Sequence, residues 1–148
     1  MKKIDWKDLI ISILVPVGLG FIVGLITKDF NDFATLNKPF FAPPGIIFPI
    51  AWTIIYILMG ISYYGVGNAK KSYTYEIQLF LNLMWSIIFF ILKWRFIATL
   101  LIAVLIFLVV KMLLEFYKIK KWTAYINIPY LIWLCYALIL SFSITILN

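Results

Sequence analysis

The chain contains no histidine and a single cysteine, Cys135. The missing histidine removes the commonest metal ligand and the commonest acid–base group at neutral pH. One cysteine rules out an intramolecular disulfide and any metal site built from clustered cysteines. Charge is also scarce: 13% of the 148 residues are charged, against 65% hydrophobic, with a mean hydropathy of +1.05. A soluble domain carries about 25% charged and about 45–50% apolar residues. A soluble fold of this length cannot hide so much apolar surface, so lipid is the expected solvent. P-loop, GxGxxG, HExxH and Ser-His-Asp patterns are absent, as is any internal repeat of the transporter kind.

Long charge-free runs are what the chain has instead. Residues 9–27, 39–69, 77–92, 96–110 and 122–148 carry no charged side chain. A membrane helix needs roughly 20 mainly apolar residues. The runs predict five spans, at about 9–27, 45–67, 74–93, 96–117 and 124–147, in one domain over residues 1–148. Glu76, Lys93, Arg95 and Lys111 then fall near helix ends, where long side chains reach the interface. A β-barrel would alternate apolar and polar residues, and "LLIAVLIFLVV" (Leu100–Val110) does not. The expected class is an all-α membrane protein, a bundle of five transmembrane helices with a proline-rich loop between helices 1 and 2. Lys2 and Lys3 resemble the start of a signal peptide. No A-x-A-like cleavage site follows, and Pro16, Gly18, Gly20 and Gly24 suit a packed helix, so the first run is kept as mature structure.

The positive charges are unevenly shared. The amino terminus and the loops at 68–73 and 118–123 hold eight: Lys2, Lys3, Lys7, Lys70, Lys71, Lys118, Lys120 and Lys121. The opposite side holds four: Lys28, Lys38, Lys93 and Arg95. The positive-inside rule predicts a cytoplasmic amino terminus in a multi-pass protein of the cell membrane. Topology and anionic lipid account for the basic excess, and no nucleic-acid partner is needed. Lys111 and Glu115, at i and i+4, read as a paired helix end.

Polar and aromatic residues recur at helical spacing inside the spans. Phe48, Trp52, Tyr56, Met59 and Tyr63 share one face of span two, a pattern that fits either ring packing or a ligand-contacting stripe. Asn82, Trp85, Ser86 and Phe89 share a face of span three. Asn82 lies mid-span, so its amide faces another helix or a cavity. On span five Pro129, Trp133, Ala137 and Leu140 or Ser141 align, and small Ala137 leaves room beside Trp133. Gly20 and Gly24 form a small-xxx-small pair that reads as close helix packing. "KPFFAPPGIIFPIAW" (Lys38–Trp52) carries Pro39, Pro43, Pro44 and Pro49, a stiff connector able to fold back as a lid before span two restarts.

"KPFFAPP", then Trp52-x-x-x-Tyr56-x-x-Met59-Gly60, then "LNLMWSIIFF", then "PYLIWLCYAL" resemble the TspO/MBR family in that order. That family includes the translocator protein or peripheral-type benzodiazepine receptor and the tryptophan-rich sensory proteins. The resemblance implies a five-helix bundle, usually a homodimer, that binds protoporphyrin IX, sterols and isoquinoline carboxamide or benzodiazepine-type ligands. It makes Gly24, Phe48, Trp52, Tyr56, Asn82, Trp85, Ser86, Phe89, Trp133, Ala137 and Leu140 pocket positions. Lys38, Pro39, Pro43 and Pro44 become the lid. Trp52 and Trp133 would carry light-dependent degradation of the porphyrin, with no metal or other cofactor. Receptor or sensor, porphyrin-degrading enzyme, and lipid or porphyrin transporter or scaffold stay open as functions. Two departures stand out. Phe41 occupies a loop position where tryptophan is common, which implies a weaker or purely apolar cap. The sterol motif is incomplete, because Phe142 replaces its tyrosine and no basic residue follows.

Overall fold

The computed structural model describes residues 3–67 and 73–148. Lys2, Lys70 and Lys71, and most of the connector expected at 68–73, lie outside the described residues. Helix α1 (Trp6–Thr27) is followed by two single-turn 3-10 helices, Lys28–Phe30 and Phe33–Thr35. Then come α2 (Ile47–Val66), α3 (Tyr73–Ser86), α4 (Arg95–Ile119), a short α5 (Lys121–Tyr125) and α6 (Ile128–Leu147). The last turn of α3 widens into a π-helix, Ile87–Ile91. Among the described residues there is no strand. Five helical segments are long and apolar enough to cross a membrane, so the expected five-helix membrane bundle is observed. The 22 residues of α1 rise about 33 Å at about 1.5 Å each, close to the ~30 Å of a hydrocarbon core.

Local chemistry sets the ends. Asp5 caps α1, its carboxylate accepting from the Asp8 amide at 3.3 Å, and this starts the helix three residues before the expected position 9. Pro129 sits in the first turn of α6, where its missing N–H costs nothing. The expected loop at 118–123 is instead mostly helix. Helix α4 runs on to Ile119, Lys120 alone turns extended, and α5 begins at Lys121. Lysines are good helix formers, so a run of them marks a water-facing end without breaking the helix. The expected Lys111–Glu115 pair does not form; Glu115 accepts from the Thr74 hydroxyl at 3.1 Å.

Helix α1 leans on α2, and the close approach is made by glycine. A methyl built on Gly60 would collide with the Ser12 carbonyl and lie 2.6 Å from Ile13 Cα. One built on Gly20 would strike the Tyr56 ring. Gly24 corrects the small-xxx-small reading: nothing lies within 4 Å of its added methyl, and it faces outward. The crossing therefore rests on Gly60 against Ser12 and Ile13 and on Gly20 against Tyr56, with no part for Gly24. By contrast, the backbones of α2 and α6 stay further apart than those of α1 and α2, and rings fill the gap.

Replacing Gly60 with Ala pushes the backbones of α1 and α2 apart and costs about 1–3 kcal/mol, seen as a lower melting temperature in detergent. Gly24→Ala leaves the melting temperature unchanged or slightly raised, because helix propensity improves in open space. Equal losses at both positions would refute the crossing.

Candidate functional site

The face of α2 predicted from spacing points into the bundle. Tyr56 and Met59 are buried, and Phe48, Trp52 and Tyr63 half-buried. Opposite it, α3 presents Gln78 and Asn82, and α6 presents Tyr130, all buried. Their polar groups form one chain. The Tyr56 hydroxyl donates to Asn82 Oδ1 at 2.6 Å, and Asn82 Nδ2 donates to the Tyr130 hydroxyl at 2.7 Å. The Tyr130 hydroxyl donates to Gln78 Oε1 at 2.8 Å, and Gln78 Nε2 reaches Met59 Sδ at 3.4 Å. Every member has a partner, as a polar group shielded from water requires.

Gln78 and Tyr130 were not expected at the site. Gln78 lies one helical turn before Asn82, so the i, i+4 amide pair was the available signal. Tyr130 precedes Trp133 by three residues and shares its face, and that i, i+3 spacing was the available signal.

Above the polar chain stand the rings. Trp52 stacks on Tyr56 with centroids 5.7 Å apart, and meets Trp133 edge-on at 6.2 Å. Phe48 packs between Phe33 and Trp133, at 4.9 and 5.7 Å. Across the bundle Trp85 stacks on Phe89 at 4.9 Å. Between these groups lies a cavity of about 10 Å³, room for roughly one water. Its walls are Trp52, Asn82, Trp85 and Ala137, joined by Leu134 from α6 and by Ile102 and Leu105 from α4. The α4 residues have no polar or aromatic marker, so nothing sets them apart from the other apolar residues of that span. Two indole donors are buried without a partner among the described residues: Trp85 in the cavity wall, and Trp133, which does not line the cavity but packs behind Trp52.

The remaining expected site residues are spread around this centre. Phe89 and Leu140 are buried together in the packing cluster at the loop end, and Ser86 is half-buried away from the cavity wall. Gly24, on the outer face of α1, is not part of the site.

The loop covers the same end. Lys38 knits the loop to itself: its ammonium donates to the Phe33 and Ala34 carbonyls, at 2.8 and 3.3 Å, and lies 4.8 Å from the centre of the Phe33 ring. Pro39 and Pro43 are half-buried and Pro44 is exposed. The Pro39 carbonyl closes a turn with the Ala42 amide, and the Pro44 carbonyl accepts from Ile47 as α2 begins. Of the weaker or purely apolar cap expected at Phe41, the purely apolar alternative does not hold. The Phe41 backbone carbonyl accepts from the Tyr136 hydroxyl at 2.8 Å, which any residue there could supply.

Two further ties hold the loop. Asn37 and Asn148 bond to each other, Asn37 N–H to Asn148 Oδ1 at 3.2 Å and Asn148 Nδ2 to the Asn37 carbonyl at 2.9 Å. Asp32 accepts from Arg95 at 2.6 and 2.8 Å and from Lys93 at 3.1 Å. Partial burial pushes the Asp32 carboxyl upward, but the bonds from Arg95 and Lys93 outweigh it and hold it below the usual carboxylate range.

A model of the TspO/MBR family matches residues 12–147. The chain is similar to the Tryptophan-rich sensory protein of Cereibacter sphaeroides, 31% identical over 99% of this chain and 94% of the relative. It is 34% identical to the Tryptophan-rich protein TspO of Archaeoglobus fulgidus, over 95% of this chain and 96% of the relative. A Translocator protein homolog of Schizosaccharomyces pombe is 31% identical over 91% of this chain and 88% of that one.

Asn82→Leu strands the Tyr56 hydroxyl, leaves the Tyr130 hydroxyl bonded to Gln78 alone, and lowers stability by about 1–3 kcal/mol. A double substitution with Tyr56→Phe recovers part of that loss in thermal melts, because one stranded group is gone. The Asp32 tie has its own pH signature. A carboxyl depressed in the folded state contributes stability above its unfolded pKa and loses it as pH falls through the folded value. Hydrogen exchange in residues 28–46 therefore stays slow at neutral pH and quickens only in acid below the usual carboxylate range. Asp32→Asn shows the quickened exchange already at neutral pH.

Proposed function

From the chain's membership of the TspO/MBR family, to which it belongs, we propose that this sensor- or receptor-like membrane protein binds flat, apolar ligands in the aromatic cavity between α2, α3, α4 and α6. The ligands are protoporphyrin IX or a related tetrapyrrole, and isoquinoline carboxamide or benzodiazepine-type molecules. The observation that carries this reading is the unpartnered indole donor of Trp85, in the wall of a cavity lined by rings and aliphatic side chains. Apolar walls with a few directed polar groups suit a ligand site, and stacked rings suit a conjugated plane. A buried donor left unused is costly, and a ligand acceptor would repay it. The cavity is far smaller than a porphyrin, so binding also requires the rings and the proline-rich lid to move apart.

A second reading is favoured by one contact. Trp52 and Trp133 stand 6.2 Å apart, edge to face, so a porphyrin beside one touches both. In this reading the two indoles are oxidised during light-dependent breakdown of the porphyrin, with no metal. The positive-inside count supports a cytoplasmic amino terminus in the cell membrane. The outward apolar face of α1 suits lipid or the second copy of a homodimer.

The test is a titration of the protein in nanodiscs with protoporphyrin IX, in the dark and in light, with empty nanodiscs as control. Saturable quenching of tryptophan fluorescence in the dark is expected, and Ala137→Leu, which fills the cavity, weakens it about tenfold or more, about 1.4 kcal/mol or more. Quenching no different from empty nanodiscs would end the binding reading. Trp52→Phe with Trp133→Phe keeps most of the dark binding, because the apolar faces remain. Under light the same pair loses any protein-dependent product band, and an unchanged band would end the second reading.

A further inference from the structure

The rings of the site do not stop at the cavity. Tyr56, Trp52, Trp133 and Tyr136 form a ladder with centroid steps of 5.7, 6.2 and 5.7 Å. Its inner end lies on the buried amide chain. Its outer end, Tyr136, is half-buried under the loop, where its hydroxyl meets the Phe41 carbonyl. Steps this short, between the two side-chain types most easily oxidised by one electron, let an electron tunnel from ring to ring. We propose that the ladder is a relay for oxidising equivalents, carrying them from the cavity outward to Tyr136.

The direction follows from where a proton can go. A photoexcited one-electron oxidant of the quinone or conjugated-macrocycle class, held at the cavity, takes one electron from Trp52 or Trp133. The oxidant becomes its radical anion and the indole a radical cation; no bond forms or breaks. A tryptophan radical cation becomes a milder oxidant when it gives up its N–H proton. The Trp133 N–H is buried and has no acceptor, so the cation keeps its proton and its oxidising strength. Tyr136 then gives Trp133 an electron, restoring the neutral indole. The Phe41 carbonyl that accepts from Tyr136 is no better a base than the Asn82 amide, but this bond is exposed where the Tyr56 bond is buried, so the phenol proton passes to water there and Tyr136 becomes a neutral tyrosyl radical.

The inward route is blocked. The Tyr56 hydroxyl is buried and bonded to the neutral amide oxygen of Asn82, which is not a base. Among the described residues no carboxylate bonds to Tyr56, Asn82 or Tyr130. A tyrosine that cannot release its proton is hard to oxidise, so the hole does not settle there. The net result is one oxidant reduced, Tyr136 oxidised and one proton delivered to water, with the cavity rings left intact.

The test uses the protein in nanodiscs with anthraquinone dissolved in the lipid, excited by a light flash. Exposed Trp6, Trp94 and Trp122 are first replaced by Phe, leaving Trp52, Trp85 and Trp133. The absorption of the indole radical cation is expected to decay as the phenoxyl band rises. Tyr136→Phe should lengthen the radical-cation lifetime several-fold and cut the phenoxyl yield. A second measurement needs no background variant. A nitroso spin trap present during illumination should mark Tyr136, found by mass spectrometry, and Trp133→Phe should remove that mark with Tyr136 still in place. Unchanged decay of the indole radical cation in Tyr136→Phe, or an undiminished mark on Tyr136 in Trp133→Phe, would overturn the relay.

Discussion

One chain of hydrogen bonds, from Tyr56 through Asn82 and Tyr130 to Gln78, ties α2, α3 and α6 together where no water competes. In lipid, apolar side chains gain little by meeting each other rather than a lipid tail, so directed polar bonds and tight packing decide which helices meet and in what register. Sliding one helix by a single residue moves it about 1.5 Å along its axis, enough to break at least one of these bonds. The rings of Trp52 and Trp133 keep their edge-on relation because the helices that carry them are fixed in this way. At the loop end α4 joins the same frame through hydroxyls: Thr99 meets Ser141 at 2.6 Å and Thr145 at 3.3 Å.

Much of this was legible in the sequence where chemistry leaves a sharp signature. Charge-free runs located the five spans, because charge in hydrocarbon is costly whatever the fold. The steps of four, four, three and four from Phe48 to Tyr63 gave the inward face of α2. A mid-span amide marked Asn82 as inward for the same reason. The rotation of α1 was hidden, since its residues are apolar all round and no polar landmark shows which glycine meets a neighbour. Gly20 meets Tyr56, whereas Gly24 meets nothing. The partner surface decides that, and it lies on another helix. The short α5 was hidden as well, because lysine is at home both in a loop and on a water-facing helix. The widened turn at Ile87–Ile91 has no local marker at all; its residues are ordinary helix formers in lipid.

The loop draws its order from polar ties more than from its prolines. Prolines limit the shapes it can take, but contacts to α4 and α6 choose one. Arg95 serves two of these relations. It bonds Asp32 and also lies over the Phe89 ring, 5.3 Å from its centre. Phe89 in turn stacks on Trp85 at the cavity wall. Lid and cavity therefore share a guanidinium and two rings.

The smallness of the cavity has a mechanical consequence. It holds about one water, so a larger guest must part α2, α3, α4 or α6 and widen the bundle within the plane of the membrane. That widening does work against the lateral pressure of the surrounding lipid. Occupancy is then coupled to the state of the bilayer: tightly packed, ordered lipid opposes the guest, and stretched or thinned lipid favours it. By the same linkage a guest would make the bundle prefer looser lipid.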